Sequence, residues 1–290
     1  MSPETPPAAT ELPPLREVIA RYGLSARRSL GQHFLLDLNL TRRIVRAAGP
    51  LAGRTVLEVG PGPGGLTRAL LESDARRVVV IERDPRCRMA LEQLGAAFPG
   101  RLAIVEADAL KCDAAGAGGA NGPRVIVANL PYNIGTRLLV GWLRDLSAID
   151  AMTLMFQKEV AERIVAAPGT TSYGRLSVVT QWLCEVRALF DIAPRAFVPP
   201  PKVTSTVVKL VPRAQPLAPA RFADLEAVTA AAFGQRRKML RSALRSLAAD
   251  PAPLLETAGI RSDRRAETLS IEEFCALARA WAALRTTAAQ

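Results

Sequence analysis

The feature that most constrains this fold is the alternation of short apolar, β-rich runs with helical stretches in the first half of the chain. Each run is separated from the next by a turn signal or a helical pattern. Such alternation predicts a parallel sheet with helices on both faces. The five predicted strands are Thr55–Val59, Arg77–Ile81, Leu102–Val105, Val125–Ala128 and Met152–Phe156.

Two later runs extend this sheet. Residues 185–192 and 203–211 are separated by the turn Pro199-Pro200-Pro201, and they predict an antiparallel pair at the sheet edge. Five parallel strands followed by such a pair suit a methyltransferase sheet better than a dehydrogenase sheet. We therefore expect an α/β, Rossmann-like class I methyltransferase fold with a mostly parallel seven-stranded sheet.

Beyond the sheet the chain is predicted to be helical. Residues 212–219 are proline-rich and read as a linker. Residues 233–247 predict one helix, on which Arg237, Arg241 and Arg245 form a stripe. Ser270 and Glu273 predict a capping box at the start of a last helix. The expected organisation is a flexible N-terminal extension (1–24), a methyltransferase domain (25–212), with Asp113–Gly122 as a surface loop, and a small C-terminal all-α domain (213–290).

Charge points to a polyanionic partner. Lys and Arg outnumber Asp and Glu by 38 to 27, which gives a formal charge of +11, and nucleic acid is the first candidate. The sequence shows neither a signal peptide nor a membrane span, and we expect a cytoplasmic protein with no membrane partner. The four cysteines lack C-x-x-C spacing and His33 is the only histidine, so no metal site is expected.

A glycine loop follows the first strand. Gly60, Gly62 and Gly65 satisfy G-x-G-x-x-G, a pattern that lets backbone approach a ligand closely at a helix N-terminus. Alone, this pattern also fits a nicotinamide dehydrogenase or a structural turn. Glu82 ends the second strand 22 residues beyond Gly60, and Asp108 follows the third. Three successive strand ends therefore predict a cofactor that contains adenosine, bound through ribose at Glu82 and adenine at Asp108.

The fourth strand leads directly into Asn129-Leu130-Pro131-Tyr132. An adenine amino group is a poor nucleophile because its lone pair is delocalised into the ring, and two acceptors, one for each N–H, favour the reactive form. The Asn129 side-chain oxygen and the Leu130 carbonyl can supply them, Pro131 stiffens the turn, and Tyr132 offers a stacking face. The competing interpretation is a turn that only shapes the loop.

With these residues identified, the sequence closely resembles the bacterial ribosomal RNA adenine dimethyltransferase A family, which modifies two adjacent adenines near the 3′ end of small-subunit rRNA. The similarity covers nearly the whole chain after about residue 24. The matching segments are Gly31–Leu35, the glycine loop, Ile81–Glu82, Asp108, Asn129–Ile134, Phe156–Val160, Tyr173–Val178, Phe197–Val203 and Gln235–Lys238.

The resemblance implies S-adenosylmethionine as cofactor, and it implies that Phe197 faces Tyr132 across the target adenine. It also implies N6-dimethylation of 16S rRNA in the 30S subunit, a role in small-subunit biogenesis, and a C-terminal domain that contributes to rRNA binding through Arg237, Arg241 and Arg245. Nothing in the sequence demands more than a monomer. The implied cofactor contacts are His33, Leu35, Gly60, Glu82, Asp108 and Asn129. Gly62 of the glycine loop is also expected to bind the cofactor.

Three alternatives stay open at this point. One is a macrolide-resistance type methyltransferase that acts on large-subunit rRNA. Another is a ribosome-assembly factor that clamps RNA without catalysis. The third is a nicotinamide dehydrogenase, which has no use for the Asn-Leu-Pro-Tyr turn.

Overall fold

A computed structural model describes residues 12–27, 30–112 and 124–288 of the chain. The chain divides into two compact units. The first unit contains the residues up to Lys158 together with Arg187–Val211, and the second contains Glu159–Val186 together with the residues from Pro212 onward. The loop predicted at 113–122 lies outside the described residues.

The sheet has seven strands in the order β4-β3-β2-β5-β6-β9-β7, which confirms the predicted fold class. The first five in this order are parallel, and β9 runs antiparallel to β6. Each predicted strand is present, with ends that differ by at most three residues. The strands are β2 (Thr55–Val59), β3 (Arg77–Glu82), β4 (Leu102–Glu106), β5 (Arg124–Asn129), β6 (Ile149–Gln157), β7 (Cys184–Ile192) and β9 (Ser205–Pro212).

The central strands are mostly apolar because helices cover both faces of the sheet. In β2 every residue is buried, and β3 is buried from Val78 onward. The register pairs Val59 with Ile81 and Glu82 with Glu106, so the carboxyl ends of neighbouring strands meet at one edge. The helices of this first unit are α1 (Leu15–Arg21), α2 (Leu38–Ala48), α3 (Gly65–Leu71), α4 (Arg88–Ala97) and α5 (Gly135–Trp142).

A second sheet, of two strands, was not predicted from the sequence. β1 (Phe34–Leu35) pairs antiparallel with β8 (Phe197–Val198), with Phe34 opposite Val198 and Leu35 opposite Phe197. Strands of two residues carry no periodicity, so no sequence pattern could identify them. The pairing brings together two segments that are about 160 residues apart in the chain.

The second unit is helical. Its helices α6 (Lys158–Val165), α7 (Arg175–Leu183), α8 (Phe222–Gly234), α9 (Leu240–Ala243), α10 (Ala252–Thr257) and α11 (Ile271–Ala288) surround a core that includes Tyr173, Leu225 and Phe274. The predicted capping box is present at the start of α11. Glu273 accepts the Ser270 N–H at 2.7 Å, and the Ser270 hydroxyl accepts the Glu273 N–H at 3.2 Å.

The single helix predicted for residues 233–247 is wrong. α8 ends at Gly234, the chain turns, and α9 with a 3-10 turn at Leu244–Ser246 follows. Glycine weakens the helix at this point, and the backbone N–H groups of Leu240 and Arg241 then donate to the carbonyls of Arg264 and Ser262 instead of continuing a helical ladder. Leu240 and Leu244 remain buried, as their pattern predicts.

Two domain boundaries also differ from the expectation. Residues 15–21 form α1, whose Leu15 and Val18 are buried, whereas the sequence analysis placed them in a flexible extension. Glu159–Val186 group with the C-terminal helices rather than with the sheet. Within the described ranges, no helix is both long and apolar enough to cross a membrane.

Candidate active site

A pocket lies at the carboxyl edge of the sheet, where open α/β sheets bind ligands. Its volume is about 1030 Å³, which includes the solvent-open space at its mouth. Every predicted cofactor residue lines it, and so do the four residues of the Asn-Leu-Pro-Tyr turn. The predicted residues that line the pocket are His33, Leu35, Gly60, Gly62, Glu82, Asp108, Asn129, Leu130, Pro131 and Tyr132.

The glycine loop connects β2 to α3, and two of its glycines are required by geometry. Gly60 has φ +70°, and a Cβ there would lie 3.2 Å from Cγ of Pro131. Gly62 has φ +54°, and a Cβ there would lie 2.9 Å from the ring of Phe34. Residues that carry a Cβ rarely adopt a positive φ. The loop therefore packs closely against both the Asn-Leu-Pro-Tyr turn and β1.

Glu82 fastens the loop to the end of β3. One carboxylate oxygen accepts the N–H groups of Arg83 and Asp84, each at 2.8 Å, and the other accepts the N–H of Gly62 at 3.0 Å. Burial raises the pKa of the Glu82 carboxyl, and these three donors offset part of that rise. A carboxylate held by backbone is pre-organised to accept the hydroxyls of a ribose.

Asp108 and Asp84 have different roles. Asp108 lines the pocket, with one oxygen 3.3 Å from the Arg83 guanidinium and the other accepting the Leu110 N–H. Asp84 is buried and caps the short helix at Pro85–Cys87. The hydrogen bond from Arg86 lowers the pKa of Asp84, and Gln32 donates to the same carboxylate at 3.2 Å. Asp84 therefore anchors the segment that leads into β1.

Glu58 also belongs to the pocket, although no sequence motif predicted it there. This residue lines the pocket from within β2, is fully buried, and accepts the hydroxyl of Thr67 at 2.7 Å. Burial raises the pKa of Glu58 to about 8. A single acid inside an otherwise apolar strand was the signal available in the sequence, because such a residue is rarely buried without a partner.

Asn129 ends β5 and is half-buried. Its Nδ2 donates to the backbone carbonyl of His33 at 3.2 Å. A carbonyl can only accept, so this contact fixes the orientation of the amide and turns Oδ1 to the other side. The side chain is thus held with its acceptor oxygen in a defined position.

Tyr132 is held at both its ring and its hydroxyl. The Oη atom lies 2.5 Å from Oγ of Ser205, and the His33 ring lies against the Tyr132 ring, with centroids 5.2 Å apart. The Nδ1 atom of His33 donates to the Pro199 carbonyl at 2.8 Å. His33 therefore contacts Asn129, Tyr132 and the Pro-rich turn, although the sequence analysis expected it only at the cofactor.

Phe197 differs from the expectation. Its side chain is 1% exposed, lies in the hydrophobic core of the first unit and does not line the pocket. The ring found against Tyr132 is that of His33. The physical reason is the pairing of β8 with β1, which turns Phe197 inward beside Leu35 and leaves Val198 exposed. Its role as the second face of the target base stays a prediction.

A sheet of this strand order, with its ligand pocket at the carboxyl edge, defines a Rossmann-like class I methyltransferase. The family model for ribosomal RNA adenine dimethylase matches residues 23–283. The chain therefore belongs to the ribosomal RNA adenine dimethylase family, and it is an rRNA adenine dimethyltransferase.

Curated relatives agree with this membership over almost their full length. The chain is 64% identical to the ribosomal RNA small subunit methyltransferase A of Rhodospirillum rubrum, covering 93% of this chain and 92% of the relative. It is 63% identical to the protein of the same name from Paramagnetospirillum magneticum, with 93% and 95% covered.

Solved structures support the same fold. A dimethyladenosine transferase from Plasmodium falciparum superposes with a TM-score of 0.72 at 26% identity, covering 84% of this chain and 96% of the other. The 23S rRNA methyltransferase ErmE superposes with a TM-score of 0.63 at 28% identity, covering 86% and 99%. The fold is thus shared with an enzyme named for large-subunit rRNA.

Proposed function

We propose that this enzyme uses S-adenosylmethionine to dimethylate N6 of two adjacent adenines near the 3′ end of 16S rRNA in the 30S subunit. We further propose that it acts in the cytoplasm as a monomer and contributes to small-subunit biogenesis. The observation that carries the proposal is the fixed amide of Asn129 beside a pocket suited to an adenosine cofactor.

The residues of the pocket fit this cofactor. Gly60 and Gly62 lie so close to Pro131 and Phe34 that no side chain fits at either position, and Glu82 presents a carboxylate held by three backbone donors. When bound, S-adenosylmethionine supplies an electrophilic methyl group on a sulfonium. In the proposal, Glu82 accepts from the ribose and Asp108 from the adenine of the cofactor, while Gly60, Gly62, Leu35 and the His33 backbone line its site.

Catalysis in this proposal depends on positioning and hydrogen bonding. Asn129 Oδ1 and the Leu130 carbonyl each accept one N–H of the target amino group, which favours the form with a free lone pair. Pro131 restricts the turn that aims both acceptors. The Tyr132 ring stacks on the extruded base, which contributes roughly 1–3 kcal/mol. Asn129 is too weak a base to remove the proton, which leaves after the C–N bond has formed.

RNA binding is assigned to exposed arginines of the second unit. Arg237, Arg241 and Arg245 are exposed, and none forms an ion pair with an acid of the described ranges. In contrast, Arg42 in α2 is bonded to Glu72, and Arg43 lies over the Phe190 ring at 3.9 Å. An arginine without an ion pair binds phosphate without first breaking one, so the three arginines are the better candidates, although the charge of Arg241 contributes to the lowered pKa of Asp263.

The proposed substrate is tested with undermethylated ribosomal subunits. The purified enzyme is incubated with labelled S-adenosylmethionine and either small or large subunits, and the labelled RNA is then mapped by mass. We expect label in adjacent adenines near the 3′ end of small-subunit RNA. Label that enters only large-subunit RNA would instead support the macrolide-resistance type.

A further inference from the structure

Ser205 lies beside the pocket although it is distant in sequence from every motif of the site. It is the first residue of β9, is fully buried, and pairs in register with Gln157 at the end of β6. Its hydroxyl lies 2.5 Å from the hydroxyl of Tyr132, which is a short hydrogen bond. A rigid sheet strand thus holds the outer end of the Tyr132 side chain.

The other contact to Tyr132 comes from His33. The two rings are 5.2 Å apart with an angle of 31° between their planes. His33 is itself fixed, because its Nδ1–H donates to the Pro199 carbonyl. Tyr132 is therefore held at its hydroxyl by β9 and at its ring by the segment before β1.

A stacking surface is useful only if its plane is fixed before the base arrives. A tyrosine ring turns about two side-chain torsions. Because Oη lies on the χ2 axis, the hydrogen bond to Ser205 restricts χ1 and so the position of the ring, whereas the His33 ring restricts rotation about χ2. Burial raises the pKa of Tyr132, so the phenol stays neutral and can take part in this bond as donor or acceptor. Loss of the bond would leave the ring attached only at its Cβ, with the His33 contact on one side.

We infer that Ser205 is a positioning residue for the target base, which acts by fixing the position of the Tyr132 ring. This inference rests on the proposed function, in which Tyr132 stacks on the extruded adenine. Ser205 itself does not line the pocket. Its effect therefore passes through the tyrosine hydroxyl.

The test is a double-mutant cycle with Ser205→Ala, Tyr132→Phe and the combined variant. Each single change removes one partner of the same hydrogen bond and leaves the other hydroxyl unpaired. We expect each to lower kcat/KM for undermethylated small subunits about 5- to 10-fold, since one hydrogen bond contributes on this scale. We expect the combined variant to be no worse than Tyr132→Phe alone. Losses that multiply would overturn the inference.

Thr206→Val is the matched control. Thr206 is the next residue of β9 and is also buried, but its hydroxyl donates to Asp191 at 2.7 Å rather than to Tyr132. We expect it to keep kcat/KM within about twofold of the parent, at a loss of thermal stability comparable with that of Ser205→Ala. Equal kinetic losses in the two variants would show that Ser205 acts only through stability, which contradicts the inference.

Two further measurements separate the inference from the proposed function. Affinity for S-adenosylhomocysteine should be unchanged in Ser205→Ala, because Tyr132 acts on the base, and a parallel loss of affinity would contradict a base-specific role. Ser205→Thr, which keeps a hydroxyl, should recover part of the activity. If the parent enzyme does not methylate adenine, the proposed function fails; if it does and Ser205→Ala matches it, only the inference fails.

Discussion

The two sides of the pocket, which the proposed function assigns to the cofactor and to the target base, are built in different ways. The cofactor side consists of backbone and of a carboxylate that backbone holds: glycines at positive φ, and Glu82 with three N–H donors. The base side consists of side chains held by contacts from distant segments: Asn129 by the His33 carbonyl, and Tyr132 by Ser205 and His33. We infer that cofactor affinity and base positioning can be changed separately.

The largest expected effect is on the base side. Asn129→Ala removes the acceptor for the target amino group and should lower methyl transfer about 1000-fold, while affinity for S-adenosylhomocysteine changes less than about threefold. Single-turnover transfer and calorimetric titration measure the two quantities. Asn39→Ala, an exposed position in α2 that does not line the pocket, is the control and should transfer within about threefold of the parent. A collapse of cofactor affinity in Asn129→Ala would show that the two sides are not separable.

The reverse effect is expected on the cofactor side. Glu82→Gln replaces an oxygen that accepts backbone N–H groups with a donor, and it should weaken S-adenosylhomocysteine binding about 10- to 100-fold. Glu106→Gln is the control, because Glu106 lies opposite Glu82 in register but is exposed. At saturating cofactor, transfer by Glu82→Gln should recover to within about threefold of the parent. Transfer that stays low at saturating cofactor would contradict the claim that cofactor affinity and base positioning can be changed separately.

Stability should depend on pH through Glu58. Its pKa is raised from 4.5 to about 8 in the folded protein. The stability that this group contributes is therefore fully present below about pH 4.5 and is lost as the pH rises through about 8. Between pH 5 and pH 7, the free energy of unfolding of the parent should fall by about 2 kcal/mol relative to that of Glu58→Gln. Chemical denaturation at both pH values measures this difference. If the free energy of unfolding changed equally with pH in the parent and in Glu58→Gln, a protonated Glu58 would be contradicted.

The smallest expected effects concern RNA affinity. Arg241→Ala or Arg245→Ala should weaken binding a few-fold and reduce the slope of log affinity against log salt by about 0.7–0.9 per contact. Arg42→Ala is the comparison, because its guanidinium is already bonded to Glu72. Filter binding over a series of salt concentrations measures the slope for each variant. Equal slopes for all three variants would contradict RNA binding by the arginines of the second unit.

The same contrast explains which parts could be predicted from the sequence. The sheet follows from local apolar runs, and the cofactor side follows from residues at strand ends, which parallel register brings to one edge. For Glu58 the sequence did contain a signal, an acid within an apolar run, but the predictions above did not include it. Ser205 and the His33 contact to Pro199 left none, because both depend on pairings between segments more than 70 residues apart.

The broken helix and the burial of Phe197, both of which differ from the expectation, have the same physical origin. The helix predicted for 233–247 is broken because backbone donors of Leu240 and Arg241 bond to the segment 262–264, a tertiary contact that outweighs local periodicity. Phe197 is buried because β8 pairs with β1. In both cases a contact between distant segments decides the outcome.

The identity of the methylated nucleoside is the decisive test of the proposed activity. Undermethylated small subunits are treated with the enzyme and S-adenosylmethionine, the 16S rRNA is digested, and the nucleosides are resolved by mass spectrometry against standards. The account predicts N6,N6-dimethyladenosine at two adjacent positions near the 3′ end, with none formed by Asn129→Ala. Methyl groups on a ribose, on a ring nitrogen or on a base other than adenine would contradict it.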